Sequence, residues 1–141
     1  MKYVLDSCVG FKWFVDEPGS DKALRLRDEF RSGALELLAP SIFPIELVHS
    51  LTRAERQGRI TQAEGVQLFQ DIMGLLPVLH EYLPLLPRAY EVSSQARIGV
   101  YDCLYTALAE REGCQLVTSD DRLTRSLQPT FPFIVPLDSL P

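Results

Sequence analysis

At 141 residues, with 46% hydrophobic and 23% charged residues, the sequence has the length and balance expected of one compact domain, spanning 1–141, whose core needs no disulfide or structural metal. It holds no apolar run near the roughly 18 residues a membrane helix requires, and its opening MKYVLDSCV lacks the long apolar stretch of a signal peptide. A net charge of −5 excludes a protein held on nucleic acid mainly by counterion release, so such a substrate would call for a metal ion or a local basic patch.

Lys2 to Leu5 is a short β-rich run closed by Asp6, and Val9, Trp13 and Phe14 then begin a helical spacing. Core packing is the expected place of Trp13. After the Pro18-Gly19 break, Ser20 is placed to cap a helix whose apolar stripe is Ala23, Leu24, Leu26 and Phe30, and Leu35 to Ala39 reads as a second strand. From Ser41 a helix is expected to turn Ile42, Ile45, Leu47, Val48 and Leu51 inward, with Pro44 tolerated in its first turn, and to end near Gln57-Gly58.

Thr61 to Glu64 has capping-box spacing, and Val66, Phe69, Ile72, Met73 and Leu76 supply the stripe of a partner helix in an antiparallel hairpin. Pro77 to His80 reads as a short strand, Leu85 to Arg97 as a helix opened by Pro87, and Tyr101 to Gly113 as a buried helix with a C-terminal glycine cap. QLVT at 115–118 is a strand, Asp120 to Leu127 a brief helix, and Phe133 to Leu137 a terminal strand interrupted by Pro136. Strands separated by helices throughout imply a three-layer α/β sandwich with a parallel central sheet, in which ligands bind beyond the carboxyl ends of the strands.

The three cysteines, Cys8, Cys103 and Cys114, are odd in number and lack C-x-x-C spacing or neighbouring histidines. That pattern suggests neither a disulfide framework nor a zinc site, and points to reduced thiols in the cytoplasm.

Four acids draw attention by position. Asp6 ends the first strand and Asp120 follows QLVT after one serine, so both fall where the strand-end rule places a site. Asp102 opens an apolar helix, and Glu46 interrupts the run Ile45 to Val48, where an unpartnered carboxylate would be costly or protonated. Each has an ordinary alternative: a turn hydrogen bond for Asp6, an arginine partner for Glu46, and helix caps for Asp102 and Asp120. A shared divalent cation is a further arrangement, one that would account for all four together.

The segments LDSCV, PIELVHSL, YDCLYTALAE and LVTSDDRL match, in order and spacing, the four acidic motifs of PIN-domain proteins, and nearly the whole chain resembles the VapC-type toxin ribonucleases. The resemblance implies a PIN-like fold and a Mg²⁺- or Mn²⁺-dependent endoribonuclease. Its acidic cluster would be Asp6, Glu46, Asp102 and Asp120, with Ser7 and Thr118 as supporting hydroxyls and Asp121 as a solvated neighbour. It also implies an RNA substrate, a cognate antitoxin that blocks the activity, and a homodimer. The sequence departs from the pattern at His49, where relatives often carry asparagine, and at Cys103, which replaces a small alanine.

Phosphodiester hydrolysis suits such a cluster, because bare carboxylates repel an anionic polymer and a bound cation reverses that sign. Mg²⁺ takes only one or two direct carboxylates and keeps several waters, so the acids are expected to divide the work, with Asp6 a direct ligand. Arg53, Arg56, Arg59, Arg97, Arg122 and Arg125 are candidates for gripping substrate. Two other readings compete: a phosphatase using Asp6 as a covalent nucleophile, and a PIN fold serving as an RNA-binding or interaction module with lost catalysis. The phosphatase pattern usually needs a second acid two residues on, where Cys8 stands.

Overall fold

A computed structural model describes residues 1–141. In chain order it forms β1 (Lys2–Leu5), α1 (Ser7–Phe11), α2 (Ser20–Arg31), β2 (Glu36–Pro40), α3 (Phe43–Arg56), α4 (Gln62–Gly74) and β3 (Val78–His80). There follow α5 (Leu86–Ala96), α6 (Val100–Glu112), β4 (Gln115–Thr118), α7 (Asp121–Leu127) and β5 (Ile134–Pro136), with single 3₁₀ turns at 83–85 and 137–139. No helix is long and apolar enough to cross a membrane.

All five strands are parallel, in the order β3-β2-β1-β4-β5. The chain builds outward from β1 through β2 to β3, then returns by way of α5 and α6 to lay β4 on the other side of β1. The direction of winding therefore reverses between β1 and β4, and a crevice opens at their carboxyl ends. Val4 and Leu5 of β1 and Leu116 and Val117 of β4 are fully buried, as expected of central strands covered by helices on both faces. α6 packs against β1, β2 and β4, and its residues Cys103 through Ala109 are buried all round, more than the single face that periodicity assigns it.

Two local devices set the elements at this end of the sheet. Gly10 lets α1 lie directly on α3, since a Cβ there would stand 2.7 Å from the ring of fully buried Phe43. Gly113 ends α6 in the left-handed conformation, at φ 64°, and turns the chain into β4.

Several expectations are corrected. α1 stops at Phe11, and Trp13 is buried in the turn that follows it. Gly19, with φ 90°, and not Ser20, occupies the cap position of α2. The Ser20 hydroxyl instead closes the preceding turn, donating to the Lys12 carbonyl at 3.1 Å and accepting from the Glu17 amide at 2.9 Å. At α3 Ile42, Leu47 and Leu51 are buried as expected and Phe43 joins them, whereas Ile45 is 69% exposed. The capping box of Thr61 and Glu64 is present, yet Val66, Phe69 and Met73 face solvent, and Ile72 alone of that stripe is fully buried. α4 meets the rest of the molecule chiefly through its neighbour α3, so only a narrow strip of it is covered.

Candidate active site

The site grows from the β1–β4 pairing. The ladder continues one step past β1, because the Asp6 amide donates to the Val117 carbonyl at 3.1 Å and so sets Asp6 beside Thr118. The Thr118 hydroxyl donates to Asp6 Oδ2 at 2.7 Å and accepts from the Asp120 amide at 3.0 Å. A single buried hydroxyl thereby fixes the carboxylate at the end of β1 and the turn that carries Asp120. Asp6 is 4% exposed and Thr118 fully buried.

Asp120 caps α7: its Oδ1 accepts from the amides of Arg122 and Leu123 at 2.9 and 3.2 Å. The capping alternative is thus correct for Asp120, and it leaves Oδ2 without a partner. Asp102 lies in the first turn of α6 but caps nothing; Gly99 holds the cap position, and the Asp102 carboxylate takes no side-chain partner. Glu46, in the first turn of α3, accepts at Oε1 from the Tyr105 hydroxyl at 2.7 Å and from the Ser7 hydroxyl at 3.2 Å. The alternative of an arginine partner for Glu46 is not met, and none of the four acids belongs to an ion pair.

The four carboxylates repel one another. Burial, then the charges of Asp6, Asp120 and Glu46, lift Asp102 to about 7, and Arg122 only partly opposes them. Burial also raises Asp6, against the hydrogen bond from Thr118, with Asp120 adding to the rise. Glu46 is raised by burial against the pull of Tyr105, with Asp6 adding repulsion. His49 is exposed on the next turn of α3, near enough for its charge to pull Glu46 down slightly.

A divalent cation suits this donor set. Four hard oxygen donors stand at one crevice, Asp120 and Glu46 each with a carboxylate oxygen free of hydrogen bonds and Asp102 with no side-chain partner, and no ion pair engages any of them. No three of them already converge as a closed ligand shell. Mg²⁺ takes one or two carboxylates directly and keeps most of its waters, so it would not require a closed shell of three.

Tyr105 is the site residue that sequence reasoning missed. Its place among Leu104, Leu108 and Ala109 reads as core, and its ring is indeed fully buried, yet its hydroxyl ends on Glu46. A buried tyrosine oxygen needs a partner, and that requirement was the available signal. Cys8 was passed over too: its sulfur accepts from the Ser119 amide at 3.4 Å and lies 3.6 Å from the Thr118 hydroxyl. Burial, with the charge of Asp6, pushes its thiol far up, so it is a packing and hydrogen-bonding group and not a nucleophile.

Comparison with known proteins agrees with this geometry. The PIN domain profile matches residues 3–126. The chain is 28% identical to ribonuclease VapC3 of Pyrobaculum aerophilum, covering 96% of this chain and 98% of that one. It is 30% identical to ribonuclease VapC12 of Mycobacterium tuberculosis over 87% of this chain and 90% of the relative. The crystal structure of VapBC2 from Rickettsia felis bound to a DNA fragment from their promoter superposes with a TM-score of 0.64 at 15% identity, over 96% of this chain and 97% of that one. The chain belongs to the PIN-domain family and, within it, to the VapC-type proteins.

Proposed function

We propose that this protein is a divalent-metal-dependent endoribonuclease, the toxin of a toxin–antitoxin pair. The observation that carries the reading is the set of four uncompensated carboxylates gathered where the sheet reverses its winding. Asp6 and Asp102 are the groups best suited to hold Mg²⁺ or Mn²⁺ directly, Asp6 because Thr118 fixes its orientation and Asp102 because its carboxylate is unengaged. Asp120, held by its cap, and Glu46, held by Ser7 and Tyr105, present their remaining oxygens to the same crevice. A divalent cation bound there supplies positive charge that offsets the charge developing on the phosphodiester and lowers the pKa of the attacking water. Cys8 provides no second carboxylate beside Asp6, and the phosphatase reading gains no support from the site.

The ribonuclease names of the VapC relatives support RNA as substrate. The VapBC2 assembly supports an antitoxin partner, and the exposed Val66, Phe69 and Met73 on α4 supply apolar surface suited to protein contacts. A homodimer belongs to the same reading. The test is to incubate purified protein with structured and single-stranded RNA, with Mg²⁺ or Mn²⁺ and with chelator. Cleavage is expected only with metal, and is expected to vanish in Asp6→Asn and Asp102→Asn. Cleavage that survives chelation or either substitution would overturn the reading.

A further inference from the structure

Two cavities meet at Ser119, the residue between the site's Thr118 and Asp120, and they differ in sign. One, of about 320 Å³, is lined by Lys12, Arg53, Arg59 and Glu17 and reaches Cys8 and Ser119. The other, of about 380 Å³, shares Lys12, Glu17 and Ser119 but adds Asp121 and Asp138. The first therefore carries three cations against one carboxylate, the second three carboxylates against one cation. The ion pairs Lys12–Glu17 at 3.4 Å and Arg59–Glu17 at 3.0 Å consume the only acid of the first cavity. Arg53 makes no ion pair and no side-chain hydrogen bond, so its guanidinium is uncommitted on the wall of a recess that opens beside the carboxylates.

We infer that the cavity of Lys12, Arg53 and Arg59 is the subsite that takes the RNA backbone phosphate next to the scissile bond, and that the strand leaves the site on this side and not past Asp121 and Asp138. The inference rests on the endoribonuclease reading of the neighbouring carboxylates. A chain of net charge −5 cannot draw in a polyanion with its overall field, so the local sign of the surface beside the site decides where the strand can lie. The guanidinium of Arg53 offers paired N–H donors to phosphate, and an unpaired one loses no existing contact on binding it. The acidic recess, which shares Lys12, Glu17 and Ser119 with it, repels the same backbone, and such repulsion acts over about 8 Å at physiological salt. Of the arginines that sequence alone offers, this selects Arg53 and Arg59, and it adds Lys12, which sits far from them in sequence.

The experiment separates this subsite from the chemistry. A 5′-fluorescein-labelled single-stranded oligoribonucleotide is titrated with the full chain in chelator, across a series of salt concentrations, using wild type, Arg53→Gln, Arg53→Lys and Asp138→Asn, and cleavage with Mn²⁺ is assayed in parallel. Arg53→Gln is expected to weaken binding about tenfold and to flatten the log–log salt dependence by about 0.7, the loss of one single-strand phosphate contact. Arg53→Lys should recover most of the salt slope, and Asp138→Asn should bind within twofold of wild type or slightly tighter. In cleavage, Arg53→Gln should raise KM with kcat near wild type, because the residue grips the strand and does not touch the reacting bond. Wild-type affinity and slope in Arg53→Gln overturn the subsite even if the protein cleaves RNA. Arg53-dependent binding without cleavage overturns the nuclease reading, and with it the placement beside a scissile bond, while sustaining the cavity as a backbone-phosphate site; an absence of RNA binding by wild type overturns the subsite.

Discussion

Tyr105 shows how a residue without charge can set the chemistry of a charged one. Its hydroxyl and that of Ser7 hold Glu46 by one oxygen and leave the other free, which links the helix of Asp102 to the helix of Glu46. Tyr105→Phe removes only the hydroxyl, and partners that orient metal-binding groups are worth roughly 10–100-fold in metal affinity or activity. The Mn²⁺ concentration giving half-maximal cleavage should therefore rise by about that factor, with a much smaller effect in a Glu46→Gln background; equal effects in both would show that Tyr105 acts only on packing.

Asp102 gives the pH dependence. Its folded pKa, about 7, lies above its unfolded value of 3.8, so the protonated form is the one the fold favours. The stability so gained is complete below the unfolded value and is lost as pH rises toward 7, and the raised Asp6 and Glu46 act in the same direction. Without metal, the melting temperature should rise on going from pH 8 to pH 5. Glu64 and Glu110, which hydrogen bonds hold below their usual value, withdraw their support only at lower pH. Because Mn²⁺ competes with those protons, its stabilising effect should be larger at pH 8 than at pH 5.

At the scale of elements, Asp120 does two jobs that substitution can part. Asparagine caps a helix about as well as aspartate, so Asp120→Asn should hold its stability while losing the charge and the cleavage that depends on it. Asp120→Ala should lose the cap as well, about 1 kcal/mol by denaturant titration. Gly10→Ala forces the contact between α1 and α3 apart and should cost about 1–3 kcal/mol, with weakened metal binding because Ser7 moves away from Glu46. The elements themselves were largely legible in the sequence: β1, β4, the Thr61 capping box and the glycine end of α6 follow from local chemistry that no tertiary contact overrides. Faces were less legible. Periodicity marks Val66, Phe69 and Met73 as a buried stripe, but it reports amphipathicity and not what covers it, and here only Ile72 finds full cover.

For the whole molecule, the strand-end rule places Asp6 and Asp120 at one end of the sheet from the sequence alone, because each closely follows a strand. Glu46 and Asp102 arrive at the same crevice through helices, and only the sheet order and the close approach permitted by Gly10 bring them there. The hydrogen bonds that hold Glu46 and Asp6 come from Tyr105 and Thr118, far from those acids in sequence, so no local pattern exposes them.

A protein whose native state carries uncompensated carboxylates should gain stability from the cation that compensates them. At a hundredfold excess over Kd a ligand specific for the folded state adds roughly 2.7 kcal/mol. For a chain of this length that is on the order of 5–10 °C in melting temperature. The most direct test of the shared site is calorimetric titration of Mn²⁺ into metal-free protein at pH 8, comparing wild type with Asp6→Asn and Asp102→Asn. One saturable binding process in wild type, weakened in both variants, is the predicted result. Binding that is absent from the wild type, or unchanged when both carboxylates are neutralised in turn, would contradict a common cation site.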